Sequence, residues 1–123
     1  MNPMVLVIED NEQNLYLMRF LLEKNGFTVE EAKDGEKGLE RARELKPNLI
    51  LLDIQLPKMD GYAVARELRK NNELAGTLIV AVTSYAMVGD RERILAAGAD
   101  GYIEKPIDPE KFIEQIKELI RFE

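Results

Sequence analysis

Three apolar runs rich in Val, Ile and Leu mark out the chain, at Met4–Ile8, Leu49–Leu52 and Leu78–Val82. They are nearly continuous rather than alternating, which is how strands covered on both faces of a parallel sheet read. Thr28–Glu31 and Tyr102–Ile103 are weaker candidates that bring the predicted strands to five. Between them the apolar residues adopt a helical period: Leu15, Met18 and Leu22; Leu39, Ala42 and Leu45; Val64 and Leu68; Ile94 and Leu95; then Phe112, Ile113, Ile116, Leu119 and Ile120. That spacing lines one side of a helix, so five helices alternate with the five strands.

The punctuation agrees with these elements. Asn25-Gly26 ends the first helix, Asp34 and Asp60 stand where N-caps belong, and Gly98 follows the fourth helix. Pro47 and Pro109 lie outside helices or at their start, where a missing N–H does little harm. No linker, repeat or low-complexity stretch interrupts the 123 residues, so one domain spanning 1–123 is expected, with no effector domain. The alternation predicts an α/β fold: a doubly wound parallel sheet with right-handed crossovers and helices on both faces. Ligands in such folds bind beyond the carboxyl ends of the strands, where the strand order reverses.

Composition removes several classes of function. A net charge of −6 argues against a nucleic-acid binder, whose affinity comes chiefly from Lys and Arg. With no Cys and no His, disulfides, thiolate chemistry and imidazole catalysis are excluded, which leaves carboxylates, hydroxyls and Lys. The longest apolar run is far short of a membrane span, and Met-Asn-Pro-Met is no signal peptide, so a soluble cytoplasmic protein is expected.

The strand ends are where the chemistry gathers. Glu9 and Asp10 follow the first predicted strand, Asp53 the third, Thr83 the fourth and Lys105 the fifth. If the first and third strands are neighbours, three carboxylates meet in one crevice beside a hydroxyl and an ammonium. Unit charges about 4 Å apart repel by roughly 4 kcal/mol at an effective dielectric near 20, so the cluster needs protons or a cation. Oxygen ligands without His or Cys favour Mg²⁺, which typically takes one or two carboxylates together with phosphate oxygens. Glu9-Asp10-Asn11 also reads as a helix cap, a role that suits Asn11. Thr83 alone reads as an ordinary strand residue and Lys105 alone as a surface lysine; their position opposite the acids makes them site candidates. Asp53, at the mouth of Leu-Ile-Leu-Leu, needs compensation for its desolvation whatever its role.

Four strings carry a resemblance: VLVIEDN at 5–11, LILLDIQLPKMDGY at 49–62, AVTSYA at 81–86 and GADGYIEKPI at 98–107. In this order and spacing they resemble the receiver domain of bacterial two-component response regulators, over essentially the whole chain. The resemblance implies a flavodoxin-like fold with strand order 2-1-3-4-5 in a three-layer α/β/α arrangement. It implies that Asp53 is a phosphoacceptor, served by a sensor histidine kinase or a histidine phosphotransfer protein. It further implies Mg²⁺, or Mn²⁺ in its place, held by Asp10, by Asp53, by Glu9 mainly through water, and by the backbone carbonyl of Gln55. Thr83 and Lys105 would bind phosphoryl oxygens, with the backbone N–H groups of Ile54 and Ser84 as further donors.

The same resemblance makes Thr83 and Tyr102 a coupled switch, the hydroxyl moving toward the phosphoryl group and the aromatic following it inward. Read alone, Tyr102 is a half-buried tyrosine with its phenol toward water. Bulky Tyr85 is expected to shield an aspartyl phosphate and prolong its life. Since the last helix ends at Arg121-Phe122-Glu123, output through another protein is expected, by way of the fourth helix, last strand and fifth helix. Three other readings compete. A receiver-like module that is never phosphorylated conflicts with the intact Asp10, Asp53, Thr83 and Lys105. A cofactor binder would need a phosphate-cradling loop where Glu9-Asp10-Asn11-Glu12 is acidic. A hydrolase with an aspartyl nucleophile would need an acid two residues past Asp53, where Gln55 stands.

Overall fold

The computed structural model describes residues 3–84 and 87–120. Strands β1 (Met4–Ile8), β2 (Thr28–Ala32), β3 (Leu49–Asp53), β4 (Leu78–Thr83) and β5 (Gly101–Glu104) alternate with helices α1 (Glu12–Lys24), α2 (Gly35–Leu45), α3 (Gly61–Arg69), α4 (Val88–Ala96) and α5 (Phe112–Ile120). All strand pairs are parallel, in the order β2-β1-β3-β4-β5. The sheet therefore reverses direction of growth between β1 and β3, and the crevice between their carboxyl ends is the binding position for this topology.

The strands are apolar on successive residues because both faces are covered. Val5 and Val7, Leu49 and Leu51, Val80 and Val82 face α1 and α5, where they meet Leu15, Met18, Leu22, Phe112 and Ile116. Leu6 and Ile8, Ile50 and Leu52, Ile79 and Ala81 face the other way, onto Leu39 and Ala42 of α2, Val64 and Leu68 of α3 and Ile94 of α4. These are two cores on one sheet, the three-layer arrangement expected from the sequence. Leu95 departs from expectation, being 51% exposed, because it is about 100° around α4 from the buried Ile94.

The helix ends follow the predicted chemistry. Asn11, Asp34 and Asp60 each accept a backbone N–H of the following first turn, from Asn14, Lys37 and Ala63. Gly98 leaves α4 at φ +112, a conformation that L side chains resist. A short 3₁₀ turn at Asn72–Leu74, which carries no sequence period, precedes β4.

The amino ends of β4 and β5 are tied by Arg69. Its guanidinium donates to the carbonyls of Gly98 at 2.8 Å, Thr77 at 2.9 Å and Leu74 at 3.2 Å, and to Asp100 Oδ2 at 2.6 Å. Asp100 in turn accepts the Ile79 N–H at 2.8 Å. One planar fork thus joins α3, the 3₁₀ turn, β4 and the α4–β5 connection.

Candidate functional site: an acidic crevice at the strand ends

Each chemical group of the crevice is delivered by the end of a strand. β1 runs out at Ile8 and Glu9 follows with no exposed surface, its own N–H held by the Ala32 carbonyl at 3.0 Å. Asp10 comes next and is exposed. On the neighbouring strand Asp53 closes β3 and is 2% exposed. Oxygens of these three carboxylates lie within 4.8 Å of one another. From β5, Lys105 brings its ammonium 3.2 Å from Glu9 Oε1 and 3.2 Å from Asp53 Oδ1. The Lys105–Pro106 peptide bond is cis.

One cation against three carboxylates leaves the crevice short of positive charge. Burial pushes the Glu9 carboxyl up to about 7, helped by a hydrogen bond to Asp53 and repulsion from its charge, while the Asn11 N–H and Lys105 pull the other way. Its Oε1, shut off from solvent, faces the Lys105 ammonium as an ion pair but has no aligned hydrogen-bond donor among the described residues. A buried, unsatisfied oxygen beside two further carboxylates is a donor set suited to a hard divalent cation, so the residues present fit Mg²⁺.

This has a measurable consequence in the absence of divalent ions. Between about 4.5 and about 7 the folded protein keeps a proton on Glu9 that the unfolded chain has released, so stability must fall as pH rises through that window. The expected loss from pH 5 to pH 8 is about 1–3 kcal/mol. Urea unfolding in EDTA at the two pH values measures it. A wild-type loss no larger than that of Glu9→Gln would contradict the assignment.

The predicted phosphoryl-binding groups are distributed unevenly. Thr83 is fully buried at the end of β4, in register with Glu104 and one strand over from Asp53, with which Val82 pairs. The Lys105 N–H donates to the Thr83 carbonyl at 2.8 Å, which fixes the two residues side by side. The Ile54 N–H, expected as a phosphoryl donor, is bonded here to the Val82 carbonyl at 3.2 Å, because pairing with β4 continues one residue beyond Asp53. The Gln55 N–H, one position further on, reaches Asp53 Oδ1 at 2.9 Å instead. The Ser84 N–H meets the Gln55 side-chain carbonyl at 3.4 Å, so Gln55 spans the mouth of the crevice. Tyr102 is half-buried on β5, next to Ala81 of β4. Tyr85 and its expected shielding role lie outside the described residues, as do Arg121, Phe122 and Glu123.

Gly61 also belongs to the crevice, a role the sequence reading did not give it. A Cβ there would stand 2.5 Å from Ile54 Cα and 2.7 Å from the Asp53 carbonyl oxygen. The first turn of α3 therefore rests directly on the backbone of Asp53 and Ile54, and the Gly61 N–H donates to the Ile54 carbonyl at 3.0 Å. Asp60-Gly61 was visible as a helix start, but not as a close approach.

Among the described residues no helix is long and apolar enough to cross a membrane. Residues 5–117 match the response regulator receiver domain family. The polar-differentiation response regulator DivK of Brucella anthropi is 45% identical over 113 residues, covering 92% of each chain. Among solved structures, a CheY-like receiver domain protein from Methanospirillum hungatei superposes with a TM-score of 0.90 at 33% identity, covering 99% of this chain and 96% of that one. The receiver domain of a sensor histidine kinase from Pseudomonas aeruginosa, crystallised with a magnesium ion coordinated in its active site cleft, superposes with a TM-score of 0.88 at 30% identity, covering 98% and 99%. On the strength of the family match over most of its length, together with a relative this similar, the chain belongs to the response regulator receiver domain family.

Proposed function

We propose that the chain accepts a phosphoryl group on Asp53 from a phosphohistidine of a sensor kinase or phosphotransfer protein and signals through a changed protein-binding face. The observation that carries this reading is a nearly buried Asp53 held against the Lys105 ammonium and grouped with Glu9 and Asp10. An Asp53 carboxylate oxygen attacks phosphorus, the new O–P bond forms as the P–N bond breaks, and the imidazole leaves with the electron pair. Asp10, Asp53, Glu9 and the Gln55 backbone carbonyl would hold Mg²⁺, which when bound neutralises charge on the phosphoryl oxygens.

The chain's own groups do the rest. Lys105 can pass from the carboxylate to a phosphoryl oxygen without leaving the crevice, so its charge remains compensated throughout. Thr83 offers a hydroxyl from β4, and the Ser84 N–H becomes a donor once the Gln55 side chain releases it. Movement of Thr83 toward the phosphoryl group makes room for Tyr102, and the two act as one element with two arrangements. Phosphorylation shifts their balance only through contacts that differ between those arrangements. The face affected is formed by α4, β5 and α5, and a downstream protein docks there.

Intact mass measured after incubation with Mg²⁺ and acetyl phosphate tests this function. One added phosphoryl group, mapped to Asp53, absent when EDTA is present from the start and removed by hydroxylamine as an acyl phosphate is, is expected. An unchanged mass, together with no spectral response to beryllofluoride, would instead make the chain a binding module that keeps the receiver fold without accepting phosphate.

A further inference from the structure

Tyr102 lies at the edge of the core on the α2, α3 and α4 side of the sheet, and its ring lines a solvent-open groove with Glu104, Pro106, Gln115 and Leu119. Arg91 reaches it from α4. The guanidinium carbon sits 5.2 Å from the ring centroid, and a terminal nitrogen sits 3.6 Å from Glu104 Oε1. Residues two apart on a strand share a face, so Tyr102 and Glu104 present one surface to α4. Their register partners on β4 are Ala81 and Thr83. Of the two residues Arg91 engages, Glu104 is therefore the direct neighbour of Thr83, and Tyr102 lies two positions before it on the same face of β5.

We propose that Arg91 is a latch on Tyr102: a positioning residue that holds the ring at the groove and biases the domain toward its unphosphorylated arrangement. The inference rests on the Thr83–Tyr102 reading above and adds the group that sets its resting balance. An aromatic ring attracts a cation placed over its face, and that attraction is lost when the ring moves inward from beneath the guanidinium. The ion pair with Glu104 is exposed on both sides, 45% and 59%, so its direct contribution is small and its effect is to orient the guanidinium. A contact made in only one of two arrangements shifts their ratio by its full worth, here a factor of about two to five.

The test is NMR of the Tyr102 ring in tyrosine-labelled protein, assigned with Tyr102→Phe and titrated with beryllofluoride in the presence of Mg²⁺. Arg91→Met keeps the aliphatic stem and removes the charge. It is expected to raise the inward population before any mimic is added and to lower the half-saturating beryllofluoride concentration about two- to five-fold, with Arg91→Lys between it and wild type. If wild type responds and Arg91→Met matches it in both quantities, the latch is overturned while the switch stands. If the Tyr102 resonances of wild type ignore the mimic, the switch reading fails and the latch with it. A purely structural Arg91 would change the urea midpoint alone, and that result also overturns the proposal.

Discussion

Asp53→Asn is expected to abolish phosphoryl incorporation while making the metal-free protein more stable, by about 1–3 kcal/mol. The two effects have one origin. In the proposed function Asp53 supplies the attacking oxygen, and an amide cannot replace it. The same carboxylate is 2% exposed among Glu9 and Asp10, with the Lys105 ammonium paired to it. Asn retains an oxygen to accept the Gln55 N–H, so the local turn survives the change. Removing one of three crowded charges relieves Glu9, whose carboxyl Asp53 helps to push up, and leaves Lys105 paired with Glu9. Thermal unfolding in EDTA should therefore shift upward, by roughly 3–5 °C per kcal/mol in a domain of this size. Added Mg²⁺, which should stabilise wild type strongly, should do little for the variant. A variant that melts below wild type in EDTA would show that the carboxylate is held by favourable contacts and is not under electrostatic strain.

Gly61→Ala is expected to destabilise the protein by about 2–4 kcal/mol, with weakened Mg²⁺ binding beyond that loss. A methyl group is small, but its two nearest neighbours are backbone atoms of Asp53 and Ile54 at 2.7 and 2.5 Å. Neither can rotate away as a side-chain tip would. The first turn of α3 must retreat, breaking the Gly61 to Ile54 hydrogen bond and unseating the strand end that presents the acceptor. Gly76→Ala is the matched control, since nothing lies within 4 Å of a Cβ at that position. Urea midpoints of the two variants separate a steric effect from a general glycine effect. Equal midpoints would mean that α3 is free to shift.

The sequence disclosed whatever depended on short-range pattern. Met4–Ile8 and Leu49–Leu52 read as buried strands because a sheet covered on both faces asks for apolar side chains at every position. Asp34 and Asp60 read as caps because the bond they make is three residues away. Asp53 and Lys105 stood out because a strand end is a predictable place for chemistry in this topology. The weaker signals fail where distance in sequence is large. Arg69 is an ordinary charged residue near a helix end, and its bonds to Gly98 and Asp100 span about thirty positions. That the Ile54 N–H joins the ladder while the Gln55 N–H meets the Asp53 carboxylate depends on how far β3 and β4 continue to pair, which strand propensity locates only to within a residue or two. Arg91 over Tyr102 and Gly61 against Asp53 are meetings of separate elements, and neither leaves a trace in local spacing.

The Arg69 fork gives the domain a direction. It binds β4 and β5 at their amino ends, while Asp53, Thr83 and Lys105 gather at the carboxyl ends, about 13–20 Å away along strands of four to six residues. The amino edge is held by a side-chain fork in addition to the strand ladder, so the sheet has one edge built for cohesion and an opposite edge given over to chemistry.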